Sequence, residues 1–166
     1  MEALAERTTR RGALTPAVAA TSAVSVPATT ARLTGQQFDR ITSHLSHSGS
    51  MLTMLIYMFA GQSSLDDVRD DATSEMVMGL VQHADNRLTA AYNELIGIEG
   101  RLPDEIRVRI FEAHSIVSLL ERIGFSAGFD FEAFTEQHMV DYLSAAQLCI
   151  DQTNAGLTAH WKQQHA

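Results

Sequence analysis

Pro103-Asp104-Glu105-Ile106-Arg107-Val108-Arg109-Ile110-Phe111-Glu112-Ala113-His114-Ser115-Ile116-Val117-Ser118-Leu119-Leu120 decides the fold class of this chain. Ile106, Ile110, Ala113, Val117 and Leu120 recur at alternating four- and three-residue steps. That spacing lines up one face of an α-helix. Pro103 suits the first helical position, and Asp104 and Glu105 complement the partial positive charge of a helix N-terminus. Gly124 is the expected stop.

The same period continues on both sides. Upstream, Phe38, Ile41, Leu45, Leu52, Leu55 and Phe59 mark a helix from Thr34 to Ala60, with Ser48 filling the gap on that face. Thr34 is a good N-cap and Gly61 a good stop. Gly49 marks either a bend or a close helix approach. A second helix begins near Ser64, where Ser64-Leu65-Asp66-Asp67 resembles a capping box with Asp in place of Glu. Its seam reads Val68, Ala72, Met76, Leu80, Ala84, Leu88, Ala91 and Leu95, ended by Gly97 and Gly100. Downstream, Asp130 is the expected cap of a fourth helix carrying Phe134, Met139, Leu143, Ala146, Ile150, Thr153 and Leu157. Gly156 is expected to break it before His160-Trp161.

Pro103 is the only proline between Gln36 and Lys162, and it separates two similar halves. Leu52 and Leu55 align with Ile116 and Leu119, and Met76-Val77 with Met139-Val140, as in a duplicated hairpin. The expectation is therefore an all-α domain, residues 34–166, resembling a four-helix bundle. Its hairpins are residues 34–100 and 103–162, and a disordered tail, residues 1–33, precedes it.

The chain has 166 residues, 45% of them hydrophobic, enough for one domain with a real core. Its net charge of −8 is unevenly placed. Residues 1–33 carry four Arg against two Glu, leaving +2, while the remainder carries eight basic and eighteen acidic residues, leaving −10. An acidic body without a Lys/Arg stripe repels phosphate backbones, so nucleic acid is not an expected partner. Met51–Gly61 is the longest apolar run, and a membrane-spanning helix needs about 20 such residues. Eleven Arg to one Lys suggests a bacterial source by composition.

Residues 12–31 are mostly Ala, Thr, Ser and Val, broken by Pro16 and Pro27. Such small side chains bury too little surface to offset the entropy of ordering. A rival reading is an export signal. Thr9-Arg10-Arg11 before an Ala-rich stretch resembles a twin-arginine leader, with Val26-Pro27-Ala28 as a cleavage site, although Gly12-Ala13 stands where a bulky residue is usual. A Ser/Thr/Ala-rich start also suits a type III secretion substrate. The cytoplasm is the expected location.

Chemistry-bearing patterns are sparse. His44, His83, His114 and His138 give each helix one imidazole beside its apolar face, so an exported bundle holding a metal on histidines is one alternative. Yet there is no Glu-x-x-His or His-x-x-x-His pair; His44 and His47 are three apart. Phe38-Asp39-Arg40-Ile41-Thr42-Ser43-His44, followed by Gly49, resembles the phosphoacceptor segment of sensor histidine kinases. That resemblance implies a phosphotransfer role for His44, over about a dozen residues. It departs from the family at Leu45 and Ser46, where an acidic residue and a leucine are expected. Met51, Met54 and Met58 offer soft thioethers but read better as core or as an adaptable contact surface. Asp66, Asp67, Asp70 and Asp71 lack the pattern of a calcium loop. Cys149 stands alone on an apolar position, without a disulfide partner or zinc-ligand companions. No nucleophile elbow or phosphate-cradling loop is present.

The expected function is accordingly non-enzymatic and without a cofactor: a helical module acting through protein contacts, as a homodimer or with another protein. Met51-Leu52-Thr53-Met54-Leu55-Ile56-Tyr57-Met58-Phe59 is apolar nearly all round, so part of it should need cover from outside the bundle. Leu52, Leu55 and Phe59 face the core on this reading. Met51, Met54, Tyr57 and Met58 form the expected contact surface.

Overall fold

A computed structural model describes residues 30, 32–60, 74–98, 100, 102–127 and 135–166. Four helices account for nearly all of them: α1, Gly35–Phe59; α2, Ser74–Ile96; α3, Asp104–Ala127; and α4, Glu136–Gln164. Residues 1–29, expected as a tail or export signal, lie outside the described residues, as do Ser64, Val68, Ala72, Asp130 and Phe134.

Three of the starts have a local cause. Thr34 closes a full capping box: its hydroxyl accepts the Gln37 N–H at 3.2 Å, and Gln37 Oε1 accepts the Thr34 N–H at 3.0 Å. Asp104 and Glu105 occupy the first turn of α3, which begins one residue after Pro103. Thr135, not Asp130, caps α4 and accepts the His138 N–H at 3.3 Å. At the end of α2 the Gly97 N–H reaches the Asn93 carbonyl at 3.1 Å, and Gly100 takes φ 96°, a left-handed conformation that suits glycine. Ile98 and Leu102 are buried on either side of that turn.

The helices pack in a ring, α1 on α2, α2 on α3, α3 on α4 and α4 back on α1, and across the diagonals no Cα atoms of the described residues come within 8 Å. All four seams are antiparallel. Arg40 meets Glu94 while Ser48 meets Ala84; Thr89 meets His114 while Asp85 meets Ser118. Glu112 faces Cys149 while Ile106 faces Gly156; Phe38 stacks on Trp161 while Thr53 bonds Gln147. The result is an up-down-up-down four-helix bundle.

Each helix sends inward a row of alternating four- and three-residue steps, the spacing of side chains that mesh along nearly parallel helix axes. The rows are Ile41, Leu45, Ser48, Leu52, Leu55, Phe59 on α1 and Val77, Val81, Ala84, Leu88, Ala91, Leu95 on α2. On α3 they are Ile106, Ile110, Ala113, Val117, Leu120, and on α4 Met139, Leu143, Ala146, Ile150, Thr153, Leu157. The two buried hydroxyls are satisfied locally: Ser48 donates to the Ala84 carbonyl at 3.2 Å and Thr153 to the Cys149 carbonyl at 2.7 Å.

Several expectations are corrected. Met76 is 54% exposed and its neighbour Val77 is buried, so the start of the α2 seam lies one residue along. Gly124 is buried within α3, which continues to Ala127. Gly156 does not break α4; a Cβ there would lie 2.9 Å from Ile106 Cγ1, so it marks a close approach of α4 to α3. Leu33, placed in the tail by the sequence, is buried, with its N–H donating to Gln164 Oε1 at 3.0 Å. The inward rows pair Leu52 with Val117 and Leu55 with Leu120, one residue away from the pairing that suggested duplication.

Candidate interaction face

The histidines do not converge. Among the described residues no group of three His, Cys, Asp or Glu is placed to hold a metal ion. His83 and His138 are exposed, and His160 is buried at the foot of α4, 2.8 Å from Gln164. The signal for that burial in the sequence is the three-residue step from Leu157, which continues the inward row of α4.

His44 lies half-buried on the α1–α2 seam, its Nδ1 3.4 Å from Arg87 Nη1. A guanidinium only donates, so Nδ1 accepts and its lone pair is directed at Arg87. Burial, then the Arg87 charge, holds the imidazole below its ordinary pKa. His44 is therefore a neutral imidazole near pH 7, with the lone pair a phosphoryl donor would need turned toward a cation.

Asp85, Thr89, His114 and Ser118 gather between α2 and α3. Ser118 Oγ donates to Asp85 Oδ1 at 2.6 Å and stands 3.3 Å from His114 Nε2. Thr89 Oγ1 and Asp85 Oδ1 approach that same nitrogen at 3.0 and 3.8 Å. A hydrolytic triad needs the carboxylate on one ring nitrogen and the nucleophile on the other. Here every partner shares Nε2, and the serine proton is already given to the carboxylate. The cluster ties α2 to α3. Burial, then the charge of Asp85 and a hydrogen bond with it, raises the Glu121 carboxyl above its ordinary pKa.

Cys149 is buried, with Sγ 3.7 Å from Glu112 Oε2. Burial and that carboxylate push its pKa up, so it stays a thiol and a poor nucleophile.

The apolar surface is distributed differently from the sequence expectation. On α1, Met58 is buried in the core and Met51 packs half-buried against it. Only Met54 and Tyr57, 42% and 46% exposed, remain of the four residues expected to form a contact surface.

A longer row stands on the outer side of α3. Val108, Phe111 and Leu119 are 50%, 55% and 50% exposed, and the exposed Ser115 falls between them. Beside this row, Tyr92, Ile96, Arg107, Val108 and Phe111 line a recess of about 320 Å³ between α2 and α3. Its floor includes Leu95 and Ile110, and Tyr92 stacks on His114 with ring centroids 5.8 Å apart. Ile96 extends the apolar surface on the α2 side. The signal in the sequence is a second row of apolar residues on α3, one or two positions from the first.

No described helix is long and apolar enough to cross a membrane. No family model, curated protein or solved structure matches the chain.

Proposed function

We propose that this chain is a non-catalytic contact module that associates with another helical surface through the outer face of α3. The observation that carries the reading is the row Val108, Phe111, Leu119, three large apolar side chains each half exposed on one helix. Completing their burial is favourable by about 1 kcal/mol apiece, since fully burying such a side chain contributes roughly 1.5–3 kcal/mol. The row follows helical spacing, as a partner helix laid along it requires. The adjoining recess adds an apolar hollow of the kind that receives an anchoring side chain. The α1 surface, reduced to Met54 and Tyr57, is the smaller candidate.

Site-specific photo-cross-linking in cells of the native source tests the reading. A photoreactive residue at Ser115 is expected to yield a discrete protein adduct, and one at Ser50, beside Met54 on α1, is expected to yield none. Adducts at Ser50 alone would move the contact to α1. Absence of protein adducts from both positions would remove the contact reading.

A further inference from the structure

We infer that the occupant of the α3 face is a second copy of this chain, packed α3 against α3 in antiparallel about a two-fold axis level with Ala113. The inference rests on the contact reading above and names its partner.

The outer row of α3 reads Asp104, Val108, Phe111, Ser115, Leu119, Arg122, all exposed. In a two-fold contact, if residue i meets residue j, then j meets i, so the patch must complement its own reversal. This row does. Reversed, it sets Asp104 against Arg122 of the second copy, Val108 against Leu119, and Phe111 against Ser115. An acid meets a base, an aliphatic meets an aliphatic, and the largest side chain meets the smallest. Asp104 and Arg122 also have interactions within their own chain; the pair between copies adds to these.

An acid in the first turn is what the helix dipole favours in any protein. That explains Asp104 alone. It does not explain an exposed apolar row set between the acid and a base. Antiparallel packing also opposes the two helix dipoles. The α1 surface has no such pattern: it has two exposed apolar residues and no acid in the first turn. Ile96, which lines the recess with Val108 and Phe111, widens the α3 patch on the α2 flank.

Asp104 and Arg122 stand eighteen residues apart on one straight helix, about 27 Å at 1.5 Å per residue, and do not meet within one copy. Charge-swap rescue therefore reports contact between copies. The measurement is sedimentation equilibrium and light scattering of the full chain at micromolar concentration. The expected mass is twice 18.2 kDa. Leu119→Asp should give a monomer with unchanged helical circular dichroism, while Met54→Asp stays dimeric. Asp104→Arg and Arg122→Asp should each weaken association about tenfold, each altering two symmetric pairs, and the double variant should restore it.

A monomeric wild-type chain would overturn the inference, and so would a dimer abolished by Met54→Asp but not by Leu119→Asp. A dimer that the double swap fails to restore would overturn the antiparallel arrangement. If the chain is monomeric but Ser115 cross-links to a different protein, the contact reading stands and the second copy does not. If neither association nor any adduct is found, both fall.

Discussion

At Gly156 a missing methyl group sets the spacing of two helices. A Cβ there would lie 2.9 Å from Ile106 Cγ1, a side chain held in the core. Gly79, on α2, has nothing within 4 Å of the equivalent point. The two glycines are alike in sequence context, each inside a helical period, and only packing separates them. Alanine at Gly79 should stabilise by about 0.5–1 kcal/mol, the ordinary helix-propensity gain. Alanine at Gly156 should destabilise by about 1 kcal/mol, because overpacking of roughly 1–3 kcal/mol exceeds the same gain. Thermal midpoints measured side by side should move in opposite directions, and a rise for Gly156→Ala would show that α3 and α4 can part at no cost. A helical glycine announces weakness in the helix, so the sequence suggested a break. The close approach belongs to Ile106, fifty residues upstream.

At the scale of the element, the inward rows of α1, α3 and α4 were legible because each alternates four- and three-residue steps. The row Val68, Ala72, Met76, Leu80, Ala84 runs in four-residue steps, and each such step turns about 40° past one full turn. Over several steps that row spirals off the face. Val77, Val81, Ala84, Leu88 keeps to it, and those residues are the buried ones. Val77→Ala should therefore cost about 1–3 kcal/mol and Met76→Ala about 0.5 or less, read from urea midpoints. The reverse order would restore the sequence register. The outer row of α3 escaped notice for a related reason. Ile106 to Leu120 and Val108 to Leu119 both follow a helical period, and the pattern alone does not say which row the neighbours cover. On α1 the apolar stretch overstates its surface, since Met58 is buried in the core and Met51 packs half-buried against it.

At the scale of the molecule, three seams join helices adjacent in the chain, and the fourth closes the ring between α1 and α4. No local pattern announces that closure, because its contacts link distant positions, 131 residues apart for Leu33 with Gln164 and 94 for Thr53 with Gln147. Phe38 and Trp161 stack with ring centroids 4.9 Å apart and planes inclined by 18°. Trp161 is the only tryptophan, so its emission reports on this seam, while circular dichroism reports on all four helices. Phe38→Ala should shift the native emission to longer wavelength and cost about 1–2 kcal/mol, less than a fully buried Phe because Phe38 is half-buried. If the ring is one cooperative unit, emission and circular dichroism should melt together in both the wild type and the variant. Emission melting first in the variant, with the helical signal intact, would mean that the α1–α4 seam opens by itself. In that case the capping box at Thr34 and the Leu33–Gln164 bond would hold a fraying end and would not close the bundle.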